Sequence, residues 1–319
     1  MKLWLSIFTL SCCLTSSVQA ANCFYINSYH LGYEWGDRIQ AQFTQDVKGI
    51  CNISYHYLNA KKETNPSKLK NKGMEIANLI SLSQPDIIIA ADDAASEYVV
   101  SPYLRNGHTP VVYVGINWDP RPFGYPMNNA TGMTEIWPIK QTLNTVKGIV
   151  GSLKHLAIVT ADNILEKRDE AAIKKITDKE TIQLESYLVR NFEEWKQAIK
   201  MAQGSDAIKL GTVEGIKDWD KEAAISWLKQ YNQRFIFANQ DFMMPYAMYS
   251  LSKSPEEFGH WAAELTQAII KGDQPWQIPI IPNRTFISRY NPDLLSTSHF
   301  KIPDAIIRQS IVYKENNLK

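Results

Sequence analysis

The stretch Cys23–Phe43, CFYINSYHLGYEWGDRIQAQF, contains the unit from which the fold is predicted. Its apolar run ends abruptly in NSYH (27–30), and a helical pattern begins a few residues later. A connector between a strand and a helix can be built from glycine, asparagine and aspartate alone. The aromatic and hydrogen-bonding side chains crowded into this turn therefore indicate either a packed structural plug or one wall of a binding site.

The alternation of a strand with a helix repeats along the chain after residue 22. Ile39, Phe43 and Val47 lie four residues apart on one face of the first predicted helix, and further helical patterns separate the later strands. Near-continuous apolar strands that alternate with helices are typical of parallel sheets covered on both faces. The predicted fold class is therefore α/β, with strands at CFYINS, CNISYHYL, DIIIAA, PVVYVGI, HLAIVTA, IQLESYLV, DAIKLG and RFIFAN.

Two segments interrupt this alternation, NATGMTEIWPIKQ (129–141) and NQDFMMPYAMYS (239–250). A new series of strands and helices begins after the first segment, and a long helix follows the second. We therefore predict two lobes between which the chain crosses more than once, and an irregular C-terminal tail that packs across a lobe. Lobe 1 is expected to comprise residues 21–135 plus about 245–280, and lobe 2 residues 136–244 plus about 281–319.

Residues 1–20 have the pattern of a secretory signal peptide. Lys2 precedes the apolar run LWLSIFTL, and the segment VQA offers a small-residue cleavage site after Ala20. The apolar run is shorter than the roughly 20 residues that a membrane span needs. An uncleaved anchor and, because of Cys12 and Cys13, a lipoprotein are the alternatives. Cleavage would place the mature chain in the periplasm.

Removal of residues 1–20 leaves equal numbers of basic and acidic side chains. A general nucleic-acid surface needs clustered positive charge, so the composition argues against nucleic acid as a partner. Two cysteines remain, Cys23 and Cys51, each at the start of a predicted strand. Adjacent parallel strands would bring those starts together, and an even cysteine count in an exported protein favours a disulfide. Two buried thiols are the alternative.

Polar and aromatic residues collect where the predicted strands end. In open α/β sheets, ligands bind beyond the carboxyl ends of the strands. Two lobes would present these ends to each other across a cleft, and we expect the cleft to hold a small solute. The candidate ligand-binding residues are Ser28, Tyr29, His30, Trp35, Asp92, Asp93, Asn117 and Trp118 in one lobe, and Asp162, Arg168, Glu214, Trp219 and Asp241 in the other.

These candidates also have purely structural interpretations. Asp92, Asp93 and Asp162 precede predicted helices and would serve as N-caps. The tryptophans would fill lobe cores, His30 would be a hydrogen-bonded loop residue, and Arg168 would lie on a solvated helix face. The functional interpretations are an aromatic wall for a ligand and, for Arg168, a clamp on a ligand carboxylate.

The strand ends carry more acids than bases. The acids are Asp92, Asp93, Asp119, Asp162, Glu214 and Asp241, and the bases are Arg121 and Arg168. Buried carboxylates need partners, which a ligand with an ammonium or several hydroxyl groups would supply. The predicted ligand is therefore an amino acid, an amine or a polyol rather than a phosphate or a dicarboxylate.

Six segments together resemble a family of ABC-transporter-type extracytoplasmic solute-binding proteins, whose wider group includes binders of aromatic amino acids. They are INSYHLGYEWGDRI, PDIIIAADDAASEYVVSPYLRN, VVYVGINWD, NATGMTEIWPIKQTL, GIKDWD and DFMMPYAMYSLSKSPEEFGHWAAE. The resemblance extends over nearly the whole mature chain. It implies the type I periplasmic-binding-protein fold, in which two Rossmann-like lobes joined by three crossings close on a ligand. The acids in AADDAAS depart from the aromatic-amino-acid branch and favour a different one.

The resulting hypothesis is a monomeric periplasmic protein that delivers a small solute to a membrane ABC permease, without a cofactor or a metal. A sensing role, in which the protein docks on a membrane sensor kinase or cyclase, is the alternative with the same binding physics. An exported hydrolase with paired carboxylates such as Asp92 and Asp241 is the rival class. The sequence contains no G-x-S-x-G elbow, phosphate-binding glycine loop or H-E-x-x-H motif, so we predict no catalysis.

Mass spectrometry of the exported protein tests both N-terminal predictions. We expect a chain that begins at Ala21 and weighs less than its reduced form by the mass of the thiol hydrogens, because a bridge between Cys23 and Cys51 removes them. The reduced and alkylated protein is the control. If the untreated mature chain reacts with an alkylating reagent at both cysteines, the bridge is ruled out.

Overall fold

The computed structural model describes residues 20–63 and 65–314, so the predicted signal peptide lies outside the described residues except for Ala20. The chain divides into two compact units. Unit 1 contains the residues up to Val114, Arg121–Gly132 and Gly259–Pro279, and unit 2 contains Gly115–Pro120, Met133–Phe258 and the residues from Ile280 onward.

Strands and helices alternate along the described chain, as the sequence predicts. The strands are β1 (Ala21–Asn27), β2 (Cys51–Tyr57), β3 (Ile87–Ala91), β4 (Val111–Asn117), β5 (Ala130–Glu135), β6 (His155–Ala161), β7 (Gln183–Val189), β8 (Ala207–Leu210), β9 (Phe235–Ala238), β10 (Tyr249–Lys253), β11 (Ile281–Pro282), β12 (Phe286–Tyr290) and β13 (Ile311–Val312). The α-helices are α1 (Glu34–Asp46), α2 (Pro66–Ser83), α3 (Asp92–Ala95), α4 (Ile139–Val150), α5 (Ile164–Lys179), α6 (Phe192–Met201), α7 (Lys221–Tyr231), α8 (Pro255–Ile270), α9 (Pro292–Ser296) and α10 (Asp304–Ile307). Within residues 20–63 and 65–314, no helix has both the length and the apolar character needed to cross a bilayer.

A six-stranded sheet has the order β11-β5-β4-β3-β1-β2. β1 pairs in parallel with β2 on one side and with β3 on the other. The pairing aligns Cys23 with Ile53 and Ala21 with Cys51, so the two cysteines lie at the same end of neighbouring strands. Their Cα atoms are 5.6 Å apart and a disulfide joins them, which confirms the predicted bridge. In the chain-entropy model, closing the 28-residue separation stabilises the fold by about 3.6 kcal/mol.

A seven-stranded sheet has the order β13-β12-β10-β9-β8-β6-β7. β10 pairs in parallel with β9 and antiparallel with β12, and these pairings hold it in the second sheet. Residues 245–258 therefore belong to unit 2, and the last segment of unit 1 begins at Gly259 rather than near residue 245. The tail from Arg289 onward, which was expected to be irregular, contains regular elements: the end of β12, which pairs with β10 and β13, the helices α9 and α10, and β13 itself.

Apolar residues cover both faces of the seven-stranded sheet. Leu156 and Ile158 of β6 belong to one core cluster, together with residues of α4 and α5. Ala157 and Val159 belong to a second cluster, together with residues of α6 and α7. Successive side chains of a strand point to opposite faces, so this alternation requires helices on both sides of the sheet. The predicted α/β fold class is confirmed.

Gly132 in β5 permits a close approach to β4. A Cβ atom at this position would lie 1.9 Å from the carbonyl oxygen of Tyr113 and 2.7 Å from Cγ of its ring. Both distances are far shorter than van der Waals contact, and a backbone oxygen cannot rotate away as a flexible side chain can. The local spacing of the sheet therefore depends on a residue without a side chain.

Replacing this glycine tests the packing of the first sheet. We expect Gly132→Ala to lower the free energy of unfolding by at least about 2 kcal/mol, because the strands must separate to admit the methyl group. Gly148→Ala is the matched control, since Gly148 lies in α4 with no atom within 4 Å of an added Cβ. This change should be neutral or stabilise by up to about 1 kcal/mol. Urea unfolding of both variants measures the difference, and equal midpoints would contradict the packing argument.

Candidate functional site

The first candidate site lies at the carboxyl ends of β1 and β3, in unit 1. β1 lies between β2 and β3, so the connections that follow β1 and β3 leave the sheet in different directions. A crevice at such a position is the usual ligand site of an open α/β sheet. Asn27 and Ala91 are paired at the ends of these strands, which brings the loop that begins at Ser28 beside the turn that begins at Asp92.

Ser28 connects the two strand ends through its hydroxyl group. Its Oγ donates a hydrogen bond to the carbonyl oxygen of Ala91 at 2.6 Å and accepts one from the backbone N–H of Ala95 at 2.8 Å. The residue is completely buried. A hydroxyl has only one proton to donate, and that proton is already used. In this structure Ser28 therefore positions the turn after β3, rather than presenting a group to a ligand.

Asp92 is the most constrained of the predicted site residues. It is 1% exposed, and its φ of 69° lies in the left-handed region. Trp35 donates a hydrogen bond from Nε1 to Asp92 Oδ1 at 3.2 Å, although 57 residues separate the two in sequence. A left-handed conformation costs an ordinary residue roughly 1–2 kcal/mol, and such strain is concentrated at functional sites. The fold thus holds a buried carboxylate beside an indole ring at this edge.

The surroundings of Asp92 have a low dielectric constant. Tyr25 lies in β1 and is completely buried. Burial raises the pKa of its hydroxyl well above the usual value, and the negative charge of Asp92 raises it further. Ionic interactions are stronger where water is excluded. A cationic or hydrogen-bond-donating group that reaches Asp92 is therefore expected to bind it more strongly than it would bind an exposed carboxylate.

Aromatic residues line the turn after β1. The ring centroids of Tyr29 and Tyr33 are 4.6 Å apart, and the Lys61 ammonium lies 5.2 Å from the first and 5.4 Å from the second. The His30 ring lies 6.0 Å from that of Tyr33. The structure therefore brings the predicted Tyr29 and His30 into one cluster with two residues that were not predicted. Tyr33 was visible in the aromatic turn, whereas Lys61 has no distinguishing signal in the sequence.

Trp118 follows β4 with a φ of 63°, which is rare for a bulky side chain. Its backbone N–H donates to the carbonyl oxygen of Glu135 at 2.9 Å, and its Nε1 donates to Asp169 Oδ1 at 3.1 Å. The ring also packs against the core cluster that includes Leu156 and Ile158, and Trp118 and Asn117 belong to unit 2, whereas the sequence analysis expects them in the lobe of Ser28 and Asp92. Trp118 thus combines the strained position expected of a site residue with the packing expected of a core residue. Asn117, the last residue of β4, is partly buried.

Two of the predicted acids of unit 2, Asp162 and Asp241, have basic partners. Asp162 lies 2.6 Å from Lys167 Nζ and 3.0 Å from Arg190 Nε, and hydrogen bonds from these two groups lower the pKa of its carboxyl. Asp241 is buried and lies 3.2 Å from the guanidinium of Arg289. The sequence analysis did not include Arg289, because it lies in β12, within the segment expected to be irregular. These charges are compensated within unit 2.

The remaining predicted residues of unit 2 lie at the surface or in the core. Arg168 and Glu214 are exposed. Trp219 lies in an aromatic cluster, with ring centroids 5.1 Å from Trp195 and 5.3 Å from Tyr246. Its Nε1 donates a hydrogen bond to the hydroxyl of Tyr246 at 2.9 Å. The structure therefore gives Trp219 the packing role rather than a position on an open strand end. Over the described part of the chain, no three His, Cys, Asp or Glu side chains could together hold a metal ion.

The two tryptophan roles can be separated by experiment. We expect Trp219→Phe to lower the free energy of unfolding by about 1–2 kcal/mol, because it removes the hydrogen bond to Tyr246 and part of a packed ring. Solute affinity should be unchanged. Trp276→Phe is the control, since Trp276 is 62% exposed. Thermal unfolding and calorimetric titration measure the two quantities. Weaker binding with unchanged stability would return Trp219 to the site.

Solved structures with the same fold include several substrate-binding proteins. The ABC domain from Streptococcus pneumonia in complex with L-Trp has a TM-score of 0.70 and 14% identity, over 92% of this chain and 99% of that one. The ligand-free, open structure of a substrate binding protein with adhesive properties from Clostridium difficile has a TM-score of 0.71 and 15% identity, over 92% and 99%. An ABC transporter solute binding protein from Agrobacterium vitis bound with alpha-D-tagatopyranose has a TM-score of 0.59 and 11% identity, over 92% and 100%.

A comparison with curated protein sequences gives no match. At identities of 11–15%, the structural similarities establish the fold alone. A family model, in contrast, matches residues 39–312, which is most of the chain. The resemblance found in the sequence is thereby confirmed: the chain belongs to the family described as ABC transporter substrate binding protein, whose members bind substrates rather than transform them.

Proposed function

We propose that this chain is an exported solute-binding protein that captures a small solute bearing an ammonium or hydroxyl groups and presents it to a membrane ABC permease. The family membership supports the binding role and the permease partner. The observation that carries the ligand class is the buried carboxylate of Asp92, which the fold holds in a left-handed conformation at the strand-end crevice of unit 1.

We infer that a ligand cation or hydroxyl binds this carboxylate in addition to the protein groups that already contact it. Asp92 uses Oδ1 to accept from Trp35, and a carboxylate has about four positions at which it can accept a hydrogen bond. Asp93, which is also buried, follows directly. A phosphate at this edge would meet two acidic residues in a low-dielectric environment, which costs free energy. A hydrogen bond from a charged donor contributes about 1.5–3 kcal/mol.

The aromatic residues at the same edge favour a solute with an apolar or ring-shaped face. Trp35 and Tyr29 contribute large rings next to a polar group, a combination common in small-molecule sites. The ligands of the similar structures, L-Trp and a sugar, both present donors beside an apolar face. This chemistry supports the class of ligand that we propose, and it does not select one member of the class.

We further propose that polar groups at the strand ends of unit 2 also bind solute, as the sequence analysis expects. A solute that binds one conformational state better than another would shift the protein toward that state, which a permease would recognise. The hydrolase reading has less support from the geometry. Asp241, one of its two acids, is paired with Arg289, an arrangement that suits a stable anion better than a proton donor.

The proposal can be tested in two steps. Mass spectrometry of small molecules released from the natively purified protein identifies the solute, and calorimetry then gives its affinity. We expect Asp92→Asn to weaken binding by about 10- to 100-fold, because the amide lacks the charge that a bound ammonium needs. Thermal unfolding of the ligand-free variant checks that it remains folded.

Asp178→Asn is the matched control, because Asp178 is an exposed acid of α5 that pairs with Lys174 one helical turn away. It should leave the affinity unchanged. Equal affinity of the Asp92→Asn variant and the unmodified protein would contradict the proposed ligand class. A product formed from the solute by the purified protein would contradict the binding role itself.

A further inference from the structure

Unit 2 contains a buried lysine whose burial is explained neither by the packing of the fold nor by the ligand contacts proposed above. Lys209 is the penultimate residue of β8 and is 1% exposed. In the described part of the chain its ammonium forms no hydrogen bond or ion pair, and its one recorded neighbour is the ring of Trp137, with Nζ 5.7 Å from the centroid. A lysine in this environment is almost always paired.

The cation–π contact does not compensate for this burial. Removing an ammonium from water costs far more than an interaction with a single ring returns, especially at 5.7 Å. The chain uses the expected solution elsewhere, since the buried Lys253 is paired with Glu135. The retention of an unpaired lysine on a central strand therefore points to a partner that is not part of the protein.

A second buried donor lies next to Lys209 on the same sheet. Asn239 follows β9 and is 2% exposed, and its Nδ2 has no hydrogen-bond partner among the described residues. β8 and β9 are parallel neighbours, with Lys209 aligned to Phe237. Asn239 comes two residues later and so continues on the same face, with its Cα roughly 8 Å from that of Lys209. Both unsatisfied donors are thus near the carboxyl edge of the sheet.

We propose that Lys209 and Asn239 bind a carboxylate group of the solute. This inference rests on the proposed function and extends it, because it gives the solute an anionic end in addition to the group that Asp92 binds. A carboxylate has two oxygens, so one can accept from the ammonium of Lys209 and the other from the amide of Asn239. The pair satisfies both donors with a single ligand group.

The neighbouring residues favour a carboxylate over a phosphate. Glu166 is buried, and its Oε2 accepts a hydrogen bond from Thr160 at 2.6 Å. A Cβ atom at Gly211, the residue that follows β8, would lie 2.0 Å from Thr160 Oγ1 and 2.4 Å from Glu166 Oε2, so this acid is packed against the strand end. A dianionic group so close to a fixed carboxylate would be repelled about twice as strongly as a monoanion.

Anion-dependent thermal unfolding tests the inference without knowledge of the solute. The probe is sodium acetate, exchanged for sodium chloride at constant ionic strength and pH. We expect acetate to raise the melting temperature of the unmodified protein by about 1–3 °C more than that of the Lys209→Met variant. General salt effects act on both proteins equally and cancel in this difference. Lys229→Met, an exposed lysine of α7, is the control and should behave like the unmodified protein.

The Lys209→Met variant should change stability and solute binding in opposite directions. In chloride, Lys209→Met should unfold at a higher temperature than the unmodified protein, because it removes an unpaired buried charge. Its affinity for a co-purified carboxylate-bearing solute should fall about 10- to 100-fold. A lysine with a purely structural role would instead make the variant less stable, and that result overturns the proposal. If Lys209→Met does not fold, Asn239→Leu decides, since it should lose most of the acetate effect.

The other outcomes of the anion experiment also decide whether the proposed carboxylate site stands. An equal acetate shift in the unmodified protein and the variants overturns the carboxylate site. A variant-sensitive shift as large with sodium phosphate as with acetate overturns the choice of carboxylate. Failure of the proposed function is distinguishable, because an acetate effect that requires Lys209 can coexist with unchanged solute affinity in the Asp92→Asn variant. In that case the anion site stands and the ammonium or hydroxyl site falls.

Discussion

The hydrogen bonds of the Ser28 hydroxyl are the constraint on which the geometry of the unit 1 site depends. They fix the end of β1 to the carbonyl of Ala91 and to the backbone of Ala95, and so determine how the chain turns as it leaves β3. Asp92 lies inside that turn and adopts a conformation that aspartate rarely adopts. A completely buried serine thus sets the position of a buried carboxylate, and the indole of Trp35 fixes its orientation.

The two units differ in how their acidic side chains are paired with bases, a difference that a count of acids and bases does not show. Asp162 and Asp241 are neutralised by Lys167, Arg190 and Arg289, so the excess of acids seen in the sequence largely disappears in unit 2. Among the described residues, Lys209 then remains as a cation without an ion-pair partner. A buried charge is stable only where an opposite charge or a hydrogen-bonding group compensates it. Unpaired buried groups in a binding protein therefore indicate which charged or hydrogen-bonding groups its ligand carries.

Periodicity was sufficient to predict the α/β class, the pairing of Cys23 with Cys51 and the collection of polar groups at strand ends, because each depends on local pattern or on strand adjacency. Three features depend on contacts distant in sequence and escaped prediction. Trp219 follows a strand end but packs on Trp195. Arg289 occupies a strand without a recognisable pattern. Lys209 is visible in the run DAIKLG, yet only the structure shows that it forms no ion pair with another described residue.

Two of the residues with a left-handed backbone lie at strand ends that the sequence analysis singled out. Asp92 and Trp118 both have left-handed backbones immediately beyond parallel strands, at positions where glycine would be less strained. Selection for stability alone would remove such residues, just as it would replace Lys209 by an apolar side chain. In the rest of the fold, local sequence preferences and packing agree. The costs in stability are retained where the fold must hold particular groups in particular orientations. We propose one explanation for both the strain and the unpaired charge: these strand ends are shaped for a ligand.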